Sequence, residues 1–262
     1  AGFLVIQNKE IIHESYYNGF DETIPTNSFS AAKSMVGLCI GVAMDEGKID
    51  SVDQKVADFL PEFKKGELSK ISIRHLLTMS SGLSWTESGK NPYSNNAEGY
   101  YGNNLRELVM SQKAIEEPGK FFDYKSGDTQ LLTYILEEAT GISLANYFYD
   151  KIWSKVGVEN MGYWNLDKKG GDEKGFCCLY VTLKDYAKLA QLILNNGEFN
   201  GEQIVSKNYL EKCLYPAKEI TEKDGEENNR YCWQWWYANK EGKDIHYGRG
   251  FLGQYYIIIP SD

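Results

Sequence analysis

The chain has 262 residues, 42% of them hydrophobic and 25% charged, enough to bury about three quarters of its unfolded surface in an ordinary core. With 25 glycines and only 6 prolines it is neither collagen-like nor a low-complexity tract. The 37 acidic and 28 basic side chains leave a net charge of −9 and a pI near 5.0. That balance argues against a nucleic-acid partner and gives no reason to expect an anionic membrane surface.

The chain opens at Ala1 and enters a strand-like run, Phe3 to Gln7, directly, which predicts a trimmed or mature chain and leaves the compartment unread. Phe3–Ile6 and Ile11-Ile12 flank a polar Asn8-Lys9 step and predict a hairpin. The most apolar run, Met35 to Met44, is too short to span a membrane. It predicts instead a helix over about 31–46, ended by Gly47 and, with apolar residues on nearly every face, central and buried.

From 50 to about 175 the pattern is helices and loops. A short helix is expected at Ile73–Met79, a loop over Ser84–Asn104, a helix over 129–139 closed by Gly141, and another over Ser143–Lys155. Asp167–Lys174 is charged and glycine-rich and reads as a loop. Thr182 and Asp185 form a capping-box-like start for a helix over Leu183–Asn195. Two aromatic strand-like runs follow, Tyr231–Tyr237 and Tyr255–Ile259, expected to pair with each other. Strands at both ends and helices between predict an α+β fold: one antiparallel sheet closed by both termini, with an inserted helical lobe. The five cysteines, Cys39, Cys177, Cys178, Cys213 and Cys232, contain no C-x-x-C pair, which excludes a zinc ribbon or thioredoxin motif. They are expected as free buried thiols. The histidines lack metal-ligand spacing, so no metal site is expected.

The chemistry begins at Ser30-Ala31-Ala32-Lys33, the only S-x-x-K in the chain. Residues i and i+3 share a helix face, and a serine at a helix start sits in the positive end of the dipole. Chance alone gives roughly one or two such matches, so context has to carry the reading. Here the following helix is apolar nearly all round. Lys33 is therefore expected in the first turn of a buried helix, where desolvation lowers its pKa and makes it a base for the Ser30 hydroxyl.

Around these residues the sequence resembles the serine β-lactamase-like hydrolases, a family that includes class C β-lactamases, D-Ala-D-Ala carboxypeptidases, esterases and nylon-oligomer hydrolases. Ser28–Ser34 is similar to the nucleophile segment. Ile71–Leu83 matches an I-x-x-L-L-x-x-x-S-G-L element, the most specific of the likenesses. Pro118-Gly119 followed by Phe122–Ser126 resembles the approach to the second motif, and Thr182–Asp185, Asn196-Gly197 and Gln203–Val205 resemble later elements. The likeness spans nearly the whole chain, in order. It implies a β-lactamase-like two-lobed fold, with residues 1–50 and 177–262 in the sheet lobe and 51–176 in the helical lobe. It also implies acyl transfer through an acyl-serine, with no metal or organic cofactor and a small ester, amide or peptide as substrate.

By the same resemblance Ser30 is the nucleophile, and Tyr124 is the second-motif tyrosine that shuttles protons beside Lys33. Ser126 stands where the family often has asparagine. The third motif has two placements, His246-Tyr247-Gly248 or Gly248-Arg249-Gly250. Either way this strand is expected to supply one oxyanion-hole N–H, the other being that of Ser30, with Arg249 a candidate for a substrate carboxylate. Gly253-Gln254 and the Ser126–Thr129 run favour an esterase or nylon-oligomer-hydrolase flavour. The alternatives are a penicillin-interacting enzyme, either a β-lactamase or a D-amino-acid peptidase, and a catalytically impaired binding domain. His75 is expected to serve the helical lobe, and Trp85 to open a loop toward the cleft. Members of the family run on past the strand at Tyr255–Ile259, whereas this sequence stops at Asp262, so a lost terminal element or an open sheet edge is expected.

Overall fold

Asn8 and Lys9 both take left-handed backbone angles (φ 53° and 69°), the requirement of a type I′ hairpin turn. In the computed structural model, which describes residues 1–260, this turn joins antiparallel β1 (Gly2–Gln7) and β2 (Glu10–Tyr16). Asp262, where the sequence stops, lies outside the described residues.

The short β3 (Thr26–Asn27) leads through a 3-10 turn, Phe29–Ala32, into α1 (Lys33–Asp45). Every residue of α1 from Lys33 to Ala43 is buried, as an all-round apolar helix requires. Its glycines serve close packing. A Cβ on Gly41 would stand 2.5 Å from the Tyr209 ring, whose hydroxyl donates to the Gly37 carbonyl at 2.6 Å.

The middle of the chain supplies α2 (Val56–Phe59), α3 (Ile73–Leu77), α4 (Asn95–Tyr101), α5 (Leu105–Met110), α6 (Ser126–Thr140) and α7 (Leu144–Lys151). Helix α1 packs on α6 and α7, so the buried helix is the centre of the core. Two boundaries are shorter than predicted. Helix α3 ends before Met79, whose φ is 55°, and α7 breaks at Ile152 into a 3-10 turn over Trp153–Lys155. The expected loop over Ser84–Asn104 contains α4. This helix has no apolar period to betray it. The Ser94 side chain caps it by accepting from the Ala97 N–H at 3.1 Å, and Tyr100 anchors it against Phe29 and Phe176.

The remaining elements are β4 (Tyr163–Trp164), β5 (Leu179–Val181), α8 (Leu183–Leu194), β6 (Glu198–Phe199), β7 (Glu202–Gln203), α9 (Lys207–Cys213), β8 (Trp236–Lys240), β9 (Lys243–Arg249) and β10 (Tyr255–Ile258). Thr182 caps α8 as its sequence predicts.

The strand pairing corrects two expectations. The order is β10-β9-β8, so the Tyr255 strand pairs with β9 and not with the Tyr231–Tyr237 run. Tyr231, Cys232, Trp233 and Trp235 are packed into the interior, and Gln234 turns with φ 65°. Only the end of that run enters a strand. Strand β9 holds the third-motif residues His246–Arg249, as the resemblance implied, but its place between β8 and β10 was not read, because Lys243, Asp244 and Arg249 mask its alternation. Nor do the termini close one sheet among the described residues: β1–β2 and β8–β10 are separate sheets, both packed against α8. A third sheet, β3-β5-β4, sets the nucleophile segment, because the Ser28 N–H donates to the Leu179 carbonyl at 2.9 Å.

Cys39, Cys213 and Cys232 are buried free thiols, but Cys177 and Cys178 are joined by a disulfide. A search for C-x-x-C spacing passes over bonding between neighbours.

Candidate active site

Ser30 lies in the 3-10 turn and Lys33 opens α1, one turn further on. The residue before the serine, Phe29, has φ 45°, a left-handed conformation that bulky side chains adopt only where the surroundings impose it. Its N–H is held by the Asn27 side-chain oxygen at 2.8 Å.

Lys33 is 1% exposed and, among the described residues, has no carboxylate in contact. Its Nζ donates to the Phe176 carbonyl at 2.7 Å, to Ser126 Oγ at 3.0 Å and to Ser30 Oγ at 3.3 Å. The amine also lies 5.2 Å from the centre of the Tyr124 ring and 5.4 Å from that of Phe176. Burial pushes its pKa down to about 8, with the Glu87 charge pulling weakly the other way.

Ser126 relays that charge. Its hydroxyl donates to Glu87 Oε1 at 2.8 Å and its N–H to Oε2 at 2.8 Å, while Trp85 Nε1 donates to the same Oε2 at 2.8 Å. Trp85 is therefore a core residue, 4% exposed and packed over Gly127, and it supports Glu87 rather than opening a cleft. Glu87 itself was invisible to sequence reasoning. It is one acid within a polar stretch that shows no period.

Tyr124 reaches the site on a segment docked against the turn after α3. The Asp123 N–H donates to the Met79 carbonyl at 2.8 Å and the Lys125 N–H to Met79 Sδ at 3.3 Å. This docking is what the Ile71–Leu83 element does. Its Ser81 hydroxyl continues the contact into α6, donating to Asp128 Oδ1 at 2.7 Å. The Tyr124 ring stacks on Trp236 (5.6 Å between centres) and meets Tyr231 edge-on. Burial drives its phenol well above the ordinary value of 10, tempered by hydrogen bonding with Ser30. Tyr100 is a further neighbour that the sequence did not reveal. Burial raises its phenol too, and hydrogen bonding with Ser30 again works against the rise.

Along β9 the candidates divide by the period of two. His246 is 2% exposed, its Nδ1 lies 2.9 Å from the Leu214 carbonyl, and its ring packs between Tyr215 and Tyr237. It is not brought to Ser30. Gly248 shares that face, and a Cβ there would strike the Tyr256 ring at 2.1 Å. Arg249 lies on the opposite face with Tyr247, which stacks on Trp236, and its charge acts on Tyr124. Gly250 sits against the nucleophile segment, where a Cβ would stand 2.3 Å from the Ser28 carbonyl, but its own N–H donates to Gln254 O at 2.8 Å. The Ser72 N–H donates to His75 Nδ1 at 3.2 Å, capping α3, and burial pushes the His75 pKa down to about 4.

Among the described residues no group of three or more His, Cys, Asp or Glu side chains is arranged to hold a metal ion, and no helix is long and apolar enough to cross a membrane. Two surface cavities of about 470 and 310 Å³ are lined by Glu46, Lys151 and Lys155 in one case and by Phe148, Trp153 and Trp164 in the other, none of them a residue of this site.

Within this mixed α+β fold, then, a buried lysine with no carboxylate in contact among the described residues lies between two serines and beside a tyrosine. The family profile described as Beta-lactamase matches residues 1–262, and the chain belongs to that family of serine hydrolases. It is 25% identical to "6-aminohexanoate-dimer hydrolase" of Paenarthrobacter ureafaciens, over 98% of this chain and 69% of that protein. A solved structure described as "Putative 6-aminohexanoate-dimer hydrolase from Bacillus anthracis" superposes with a TM-score of 0.84 at 26% identity, covering 99% of this chain and 73% of the other. The octameric penicillin-binding protein homologue from Pyrococcus abyssi has the same fold, with a TM-score of 0.76 at 22% identity over 99% of this chain and 66% of its own.

Proposed function

We propose that the protein hydrolyses a small ester or amide by the S-x-x-K route, with Ser30 as nucleophile and Lys33 as its base. The observation that carries this is the buried Lys33 amine, with no carboxylate in contact among the described residues, 3.3 Å from the Ser30 hydroxyl. An amine with a pKa of about 8 is neutral often enough near neutral pH to take the Ser30 proton. Tyr124 is held protonated by its burial, so its phenol acts as a donor, passing a proton to the leaving group after Ser30 has attacked and regaining one from the Lys33 ammonium. The carbonyl carbon gains the Ser30 oxygen, the leaving group departs with a proton, and water then cleaves the acyl-serine.

The oxyanion needs two donors. One is the Ser30 N–H. The other is assigned to the Arg249 N–H. Successive N–H groups of a strand point to opposite edges, and the Gly250 N–H is turned to Gln254, so that of Arg249 faces the edge beyond the start of β8 at Trp236. The glycines at 248 and 250 let this strand approach Tyr256 and Ser28. The exposed Arg249 guanidinium is left to receive a substrate carboxylate, and Ser126 orients Lys33. In this reading the chain is a single catalytic unit, with residues 1–50 and 177–262 in one lobe, 51–176 in the other and the cleft between. The likeness to a 6-aminohexanoate-dimer hydrolase supports including amides beside esters in the substrate class. Initial rates on p-nitrophenyl esters and short amides test the proposal: Ser30→Ala should abolish turnover, and wild-type rates in that variant would overturn it.

A further inference from the structure

The shortest hydrogen bond that Lys33 makes is not to a motif residue but to the main-chain carbonyl of Phe176, at 2.7 Å. Phe176 directly precedes the disulfide-bonded pair Cys177–Cys178. We infer that this disulfide is a positioning element for the site, holding the Phe176 carbonyl against Lys33. The inference rests on the reading of Ser30 and Lys33 as the catalytic pair.

Cys178 has φ 66°, in the left-handed region where a Cβ is unfavourable and glycine is the ordinary occupant. A bond between neighbouring side chains closes a small ring around the intervening peptide and restricts the torsions on both sides of it. Without the bond, nothing covalent keeps Cys178 from relaxing to negative φ. The chain beyond it cannot take up that rotation. Leu179 opens β5, where its carbonyl accepts from the Ser28 N–H at 2.9 Å, two residues before the nucleophile. The displacement is therefore delivered backwards, to Cys177 and Phe176.

Three hydrogen bonds frame the segment. The Cys177 N–H donates to the Lys174 carbonyl at 3.0 Å, Trp164 Nε1 donates to the Cys177 carbonyl at 2.8 Å, and the Asn165 N–H donates to the Cys178 carbonyl at 3.1 Å. None of them fixes the Phe176 carbonyl itself. The Phe176 ring also meets Tyr100 edge-on at 5.3 Å, so one shift at 176 disturbs both Lys33 and a neighbour of Ser30. Both sulfurs are buried, Cys177 at 0% and Cys178 at 3% exposure, which suits a fixed structural bond.

The experiment uses the full chain purified without reductant. Alkylation under denaturing conditions, read by intact mass, should modify three cysteines before reduction and five after it. Ester hydrolysis is then measured against pH in wild type and two double variants. Cys177→Ser with Cys178→Ser removes the bond and leaves a side chain at φ 66°. It should lower kcat/KM by about tenfold and shift the acid limb of the pH profile, because Lys33 loses an acceptor. Cys177→Ser with Cys178→Gly also lacks the bond but has a residue at home in that conformation, and should recover most of the rate and the wild-type limb. Five alkylations before reduction would overturn the inference, as would a Ser/Ser variant with wild-type rate and limb, or a Ser/Gly variant as slow as Ser/Ser. A wild type with three alkylations, no hydrolysis and an unreactive Ser30 would instead overturn the catalytic reading, and the inference with it.

Discussion

The burial of Lys33, proposed above as the catalytic base, has a measurable stability cost, and Lys33→Met isolates it. In the folded protein burial holds the Lys33 pKa at about 8, against 10.5 for a free side chain. Below pH 8 both states carry the proton and the folded state bears the whole desolvation cost. Between pH 8 and 10.5 the folded amine is already neutral while the unfolded chain still binds a proton, so stability rises with pH. The shift corresponds to about 3 kcal/mol in all, of which about 2.5 kcal/mol is regained between pH 7 and pH 10. Methionine is similar in length and has no proton to bind. At any single pH the variant also loses the hydrogen bonds to Phe176 and Ser126, so the sign there is mixed. The change in the gap between the two proteins is free of that term, and of every other titrating group they share. Urea unfolding at pH 7 and pH 10 should show wild type gaining about 2.5 kcal/mol on Lys33→Met, or about 5–10 °C in Tm. A gap that stays constant to within about 0.5 kcal/mol would refute the buried, uncompensated lysine.

Three further outcomes follow from the structure. The kcat/KM for an ester should rise with pH along an acid limb near pH 8, because the neutral amine is the active form. Glu87→Gln should move that limb to lower pH by removing the charge that favours the ammonium, and a limb that stays in place would show that Glu87 does not act on Lys33. Gly82→Ala should destabilise the fold by about 3 kcal/mol, since φ is 70° there and the new Cβ would stand 2.3 Å from the Glu116 carbonyl oxygen; an unchanged urea midpoint would contradict the strained turn.

What was legible in the sequence was local. The Asn8-Lys9 turn, the all-apolar helix after Ser30 and the Thr182 cap each announce themselves within a few residues, and so does a lysine placed where solvent is absent. Tyr124 was legible only by resemblance, through the Pro118-Gly119 and Phe122–Ser126 run; that the Ile71–Leu83 element docks it is a tertiary fact. What stayed hidden depends on tertiary contact. Helix α4 is made by one serine cap and by Tyr100 lying on Phe29 and Phe176, so neither the helix nor its tyrosine has a pattern. Glu87 acquires its meaning from Ser126, 39 residues away. On β9 the resemblance implied a strand, but no sequence signal says which parity of its period of two faces the site. Hence His246, which turns to Leu214, and Arg249, on the opposite face, looked equivalent. The Cys177–Cys178 bond escaped because the expected spacing for cysteine chemistry is wider.

The central claim is that Ser30 is an activated nucleophile. Intact-protein mass after incubation with a fluorophosphonate, wild type beside Ser30→Ala, tests it most directly. The account predicts one adduct on the wild-type chain and none on the variant. A folded wild-type chain that takes up no adduct, or a Ser30→Ala chain labelled as readily as wild type, would contradict it.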